Sequence, residues 1–301
     1  MNKEKSNMAL LSILSNTTLV VLKLAVGWMT GAVSIIAEGV HSGMDLVAAI
    51  IAWLSVRVAD RPPDREHPFG HGKIENLSGL AEALLISAAA VLIVKESLEK
   101  MSAGTDTEML EWGIAVMGVS AVLNTVVSYK LFRTAKRTDS MALLADAEHL
   151  RTDVITSLGV FAGLALIKIT GYHILDPIAA MAVAGLIFHI SIKLIWQTVA
   201  PLIDSTLPER EREIINESLK ECDPKVVGWH KIRTRKSGSW RFIDLHVQVK
   251  SDLTVLEAHE LVDEIENCIK DALPKSHVLV HVEPEEEAAP EDLRFPPGDE
   301  S

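Results

Sequence analysis

The chain is poor in cysteine, in aromatic side chains and in positive charge. Its two cysteines, Cys222 and Cys268, stand well apart with no C-x-x-C, which excludes both a disulfide framework and a cysteine-built zinc site. Lysine and arginine number 29 against 41 acidic residues, a formal net charge of −12. That deficit of base excludes nucleic acid as the main partner. H-E-x-x-H is also missing, because His259-Glu260 is followed by Leu261, Val262 and Asp263, and a zinc protease needs the second imidazole. No A-x-A-like cleavage site follows a short apolar core, so the first apolar run is expected to remain as an anchor.

What the chain does have is apolar length. Residues of that class make up 48% and gather in six runs: Ala9 to Met29, Ala32 to Val56, Leu77 to Val94, Trp112 to Phe132, Val154 to Ile169 and Ile174 to Ala200. A hydrocarbon core about 30 Å thick needs roughly 20 helical residues to cross it, so six spans are expected. Basic residues sit beside alternate span ends: Lys3 and Lys5, then Arg57, Arg61, Arg65 and Lys73, then Lys130, Arg133, Lys136 and Arg137. The intervening loops are poor in base, so both termini are expected in the cytosol.

Beyond about residue 206 the pattern becomes that of a soluble domain. Glu209 to Leu219 reads as an amphipathic helix opened by Pro208. Val226 to Thr234 and Arg241 to Lys250 read as strands joined through Ser237-Gly238, Val255 to Ile269 as a helix, and His277 to Val282 as a third strand. In the second strand Ile243, Leu245, Val247 and Val249 share one face, opposite Phe242, Asp244, His246 and Gln248. The predicted organisation is therefore a transmembrane domain over 1–206, an αββαβ domain over 207–284 and an acidic, disordered tail over 285–301.

Charge inside an apolar helix costs roughly 2.5–3.5 kcal/mol per residue and asks for a reason. The second run contains His41-Ser42-Gly43-Met44-Asp45, and the more polar turns through which the fifth extends toward the cytosol contain His149-Leu150-Arg151-Thr152-Asp153. Each is H-x-x-x-D, which puts an imidazole and a carboxylate on one helix face. One such pair reads equally as a hydrogen bond tying two helices. The repeat of the pattern favours a facing cage of His41, Asp45, His149 and Asp153, two nitrogens and two oxygens suited to tetrahedral zinc. Asp64, His67 and His71, spaced three and four, could converge on a cation if their loop coils, or else be solvated. His230, His246, His259, His277 and His281, with Asp244 and Glu283, crowd the last domain, where metal binding and plain surface exposure both remain open. Glu38 reads either as an acid at the cavity mouth or as one snorkelling to the outer interface. Lys23 and Glu82 either pair or face the bundle interior.

These residues resemble the cation diffusion facilitator family of divalent-metal/proton antiporters over about Ala9 to Glu283. The features that carry the resemblance are six spans, the paired ligands on the second and fifth, and D-x-x-H-x-F-G-H-G-K from Asp64 to Lys73. The resemblance implies a ferredoxin-like cytosolic domain and a homodimer in a bacterial inner membrane. It also implies a transport site of His41, Asp45, His149 and Asp153, and a loop site of Asp64, His67 and His71. His230, His246, His259, His281 and Glu283 would line a cytosolic binuclear site near the dimer interface, and Lys73 and Asp204 would form a charge interlock between protomers. The His-Asp/His-Asp set resembles zinc-type members, and Glu283 stands where the family usually has Asp. Glu148 stands where an apolar gating residue is common. Zn2+ is the expected ion, with Fe2+, Mn2+, Cd2+, Co2+ and Ni2+ as alternatives. A membrane metalloenzyme is disfavoured, since four protein ligands leave no open position for water. A metal-sensing scaffold is the remaining alternative.

Overall fold

The computed structural model describes residues 3–30, 33–103, 111–170, 174–222 and 225–285. The expected tail lies outside these residues from 286 onward, as does the side chain of Glu38. The chain divides into two units, Met1–Val199 and Ala200–Ser301.

The first unit is built from long helices: α1 (Lys3–Thr30), α2 (Val33–Ala59), α3 (Lys73–Ala103), α4 (Glu111–Thr138), α5 (Met141–Thr170) and α6 (Leu175–Leu202), the last of which runs to the start of the second unit. Among the described residues α1, α2, α3 and α6 are long and apolar enough to cross a membrane. The other two have 28 and 30 residues. They dilute their apolar stretch with Lys130, Arg133, Lys136 and Arg137 at the end of α4 and with Asp146, Glu148, Arg151 and Asp153 in the first half of α5. α1 packs along α2, α4 along α5, and α3 against α5.

Beside apolar clusters around Leu131, Leu143 and Leu150 and around Ile86, Ile187 and Leu194, the bundle exposes large apolar side chains and buries polar ones. Trp28, Met29, Val21, Leu92 and Trp196 are exposed, whereas Ser12, Asn16, Lys23, Ser42, Asp45, Glu82, Asn124 and Asp146 are buried. In lipid there is no penalty for apolar exposure, and polar side chains turn inward to find one another. Small residues let the rods approach. A Cβ at Gly39 would stand 2.7 Å from Leu24 Cδ2, and one at Gly79 would stand 3.0 Å from Thr198 Cγ2. At one end of the bundle Lys5 Nζ donates to buried Glu75 at 2.7 Å, and Ser140 Oγ donates to the other Glu75 oxygen. One carboxylate thus ties the starts of α1, α3 and α5.

The second unit has the expected order: α7 (Glu209–Glu221), β1 (Val226–Ser237), β2 (Trp240–Val249), α8 (Val255–Ala272) and β3 (Ser276–Pro284). β2 is central, antiparallel to β1 and parallel to β3. α8 starts at a capping box in which Thr254 and Glu257 satisfy each other's backbone N–H. Pro208 sits one position before α7, at its N-cap. Ile215 and Leu219 of α7 and Leu261, Ile265 and Ile269 of α8 bury against Ile243, Leu245 and Val247 of β2. Both helices therefore cover one sheet face, and the alternate residues of β2 occupy the other.

Candidate metal centres

The helical spacing on α2 and α5 brings three of the four expected cage residues together. His149 Nε2 and Asp45 Oδ1 are 3.0 Å apart, and Asp153 completes a cluster whose ligand atoms lie within 4.8 Å of one another. Two donors about 2.1 Å from one tetrahedral zinc stand roughly 3.4 Å apart, so this spacing suits a shared ion. Buried His149 Nδ1 has no hydrogen-bond partner among the described residues, which leaves polar capacity for a ligand or water. His41 lines the same cavity of about 180 Å3 but is exposed and lies outside the cluster. On α2 it is the side chain of Asp45 that pairs with His149 of α5.

Other residues also line that cavity, Ser120 and Asn124 among them without having been marked by the sequence. Ser120 and Asn124 bring α4 to it, and Lys23 Nζ donates to Ser42 Oγ at 2.9 Å. Lys23 therefore faces the interior and does not bond Glu82, whose two oxygens have no hydrogen-bond partner among the described residues. Ser12 Oγ donates to Asp146 at 3.1 Å, three residues before His149. Glu148 accepts from Arg151 one turn on, at 3.3 Å. A polar residue inside or beside a predicted span was the available signal for these, and it says nothing about which neighbour it meets.

The loop between α2 and α3 coils as its spacing allows. His67 Nδ1 and His71 Nε2 each lie 3.3 Å from an oxygen of Asp64. Gly70 turns the chain at φ +80°, a conformation open to glycine at little cost. The backbone N–H of His67 donates to Asp64 at 2.7 Å, and that bond holds the Asp64 carboxyl below its ordinary range. One carboxylate and two imidazoles are a workable zinc donor set, although Asp64 and His67 are more than half exposed.

On the polar sheet face, register assembles a third cluster. His230 pairs with His246 across β1 and β2, and His246 with His281 across β2 and β3, so three histidines form a row. Glu283, two residues beyond His281, accepts from His246 Nδ1 at 2.7 Å and lies 3.0 Å from His230 Nε2. The His246 bond, first among the causes, holds the Glu283 carboxyl below its ordinary value. A register shift after His230, with Lys231 at φ +51°, bends β1 beside the site. His281 Nε2 stands 3.8 Å from Glu283 and is largely exposed. His259 lies apart on α8, exposed and 3.9 Å from Asp263. His277 stacks on Phe242 at a centroid distance of 5.2 Å. Asp204, at φ +56°, lies 3.6 Å from Arg235, and Lys73 is the first residue of α3.

Residues 9–203 match the family model described as the cation efflux transmembrane domain, and residues 207–285 match the cation efflux protein cytoplasmic domain. The chain belongs to the cation efflux, or cation diffusion facilitator, family. Similar proteins include an uncharacterized transporter of Synechocystis, 35% identical over 93% of this chain and 90% of its own length. The cation-efflux pump FieF of Yersinia enterocolitica is 33% identical over 88% of each chain, and that of Cronobacter sakazakii 32% over 93% and 92%. As a cation efflux protein the chain is an integral membrane transporter for divalent metal and not an enzyme.

Proposed function

We propose that the protein exports Zn2+ from the cytosol in exchange for protons, by alternating access at a cage of Asp45, His149, Asp153 and His41. The carrying observation is the cross-helix approach of Asp45 and His149, 3.0 Å apart, with Asp153 beside them. A free imidazole titrates near pH 6.5 and an aspartate near 3.9, yet both must be deprotonated to bind a metal. Metal and protons therefore compete for one site. When the cage opens to the proton-rich side, protons displace the ion, and the inward proton gradient drives export. Movement of α2 against α5 would open and close the cage, with His41 drawn in as fourth ligand. The mixed nitrogen and oxygen set favours zinc over harder ions, which prefer oxygen alone.

In this reading six helices span the bilayer, both termini are cytosolic, and two copies associate through the cytosolic domain around residues 207–284. The row of His230, His246, His281 and Glu283 supports it, since His281 extends outward from the cluster, and a site completed by a second copy transfers metal-binding energy to association. Lys73 and Asp204 form the charge interlock between protomers, Asp204 exchanging its Arg235 contact for it.

Reconstituted vesicles with an imposed pH gradient test this reading. Zinc flux and proton counterflow should both be present in the wild type and lost in Asp153→Ala. Retained proton-driven zinc flux in that variant would overturn the assignment. A panel of Fe2+, Mn2+, Cd2+, Co2+ and Ni2+ in the same assay fixes the ion, and zinc should give the highest kcat/KM.

A further inference from the structure

Cys222 and Cys268 belong to none of the metal clusters, and 46 residues of sequence separate them. The fold nevertheless brings them together. Cys222 is the C-cap of α7, Cys268 lies in the last turns of α8, and their sulfurs stand 2.6 Å apart, both as thiols and both half-buried. Non-bonded heavy atoms rest about 3.5–4.0 Å apart, whereas a disulfide bond is about 2.05 Å long. The side chains therefore already point at one another, and little movement separates the dithiol from the bonded form. The flanking core fixes this placement. Leu219 of α7 and Ile265 and Ile269 of α8 are fully or nearly fully buried in one cluster, and Cys222 packs against it.

We infer that Cys222 and Cys268 form an oxidation-sensitive dithiol that closes into a disulfide within one chain, stapling α7 to α8. The co-reactant is a small-molecule disulfide such as oxidised glutathione. One cysteine thiolate attacks a sulfur of that disulfide, forms a mixed disulfide and releases one small thiolate. The neighbouring cysteine thiolate then attacks the protein sulfur of the mixed disulfide and releases the second. Two protons leave the protein, its two sulfurs are oxidised, and one small disulfide is reduced to two thiols. In a reducing cytosol such a bond serves as a sensor of oxidation rather than as permanent scaffolding. Its place explains what it would act on. α7 and α8 cover the apolar face of the sheet whose other face carries His230, His246 and Glu283, so closure stiffens the platform without consuming a ligand.

The chain has only these two cysteines, which makes the test unambiguous. The purified full-length protein in detergent is equilibrated with oxidised glutathione, denatured, alkylated with N-ethylmaleimide and weighed intact. Both alkylation sites should disappear together, the mass should be that of the dithiol less two hydrogens, and dithiothreitol should restore both sites. A denaturing gel without reductant should show a monomer. Cys222→Ser should instead stop at a single glutathione adduct on Cys268. Persistence of both alkylation sites in the wild type would overturn the inference, as would a stable glutathione adduct on the wild type or a covalent dimer. None of these readouts depends on transport, so failure here leaves the export reading standing, and the reverse also holds.

Discussion

The two units hide different things. In the membrane unit Asp45, Asn124 and Asp146 are buried alongside apolar clusters around Leu131, Leu150 and Ile187, while Trp28, Leu92 and Trp196 lie outside. In the cytosolic unit Ile243, Leu245 and Val247 are inside, and the histidine row lies on the uncovered sheet face. Each unit places its ligands on its polar side, so the same donor types acquire different access. Asp45 and His149 have side chains only 8% and 12% exposed, whereas His246 and Glu283 stand at 27% and 25%. Under the proposed export mechanism, a buried cage admits an ion when the helices move, which suits coupling to protons. An open row equilibrates with the solution, which suits sensing or assembly.

The sharpest way to break that comparison is to remove one buried ligand. His149→Ala strips Asp45 of its cross-helix partner and removes one imidazole from the proposed cage. Losing even a partner outside the ligand set typically costs about 10–100-fold in metal affinity, so loss of this ligand should lower zinc affinity at the site at least about 100-fold, as read by competition with a fluorescent chelator. His41→Ala should cost less, about tenfold, because His41 is exposed and outside the cluster. Equal losses in the two variants would mean that the four residues act as one preformed cage.

Removing the shared acceptor of the open site should have an intermediate effect. Glu283→Gln should lower zinc-dependent self-association of the full chain by about 10-fold, measured by light scattering. It also makes a pH prediction whose sign follows from the depressed carboxyl. Glu283 contributes stability fully above the unfolded glutamate value of about 4.3, and this is lost as pH falls through its lower folded value. Wild type should therefore lose tryptophan-monitored stability below that pH more steeply than Glu283→Gln. Identical acid limbs would show that the carboxylate contributes nothing in the metal-free state.

How much of this the sequence displayed depends on the distance over which each feature is encoded. The H-x-x-x-D pair on α5, the period-two alternation of β2 and the Asp64, His67 and His71 spacing are local, and each of these spacings appears in the folded chain as a shared face or a coiled loop. Register between strands is not local, so nothing in the spacing of His230, His246 and His281 revealed that they form one row while His259 stands apart. The meeting of Cys222 with Cys268, and of Ser12 with Asp146, rests on helix packing across 46 and 134 residues. Motif spacing likewise promised four equivalent cage ligands, whereas His41, exposed in the same cavity, lies outside the cluster that the other three form.

Glu82 tests the inverted interior with a smaller and opposite effect. Its carboxyl is buried, with no hydrogen-bond partner among the described residues, and it lies outside the metal cluster. A polar group buried without a partner costs about 1–3 kcal/mol, so Glu82→Leu should raise the detergent melting temperature. A lowered temperature would mean that the carboxyl is satisfied by water in the bundle.

The smallest expected effect concerns a cap far from any ligand. Thr254 opens α8 by accepting from the Glu257 N–H while Glu257 reaches back to the Thr254 N–H. Those Glu257 contacts, the backbone bond first, hold its carboxyl below the ordinary range. Thr254→Ala removes half of that exchange and should cost the cytosolic unit about 1 kcal/mol, read as a lower urea midpoint with an unchanged slope. Zinc affinity at the buried cage should stay unchanged, because its ligands are carried by α2 and α5 and none by α8. A cap substitution that altered that affinity would show that the units are energetically coupled, and the contrast between a gated cage and an open row would then describe one linked device.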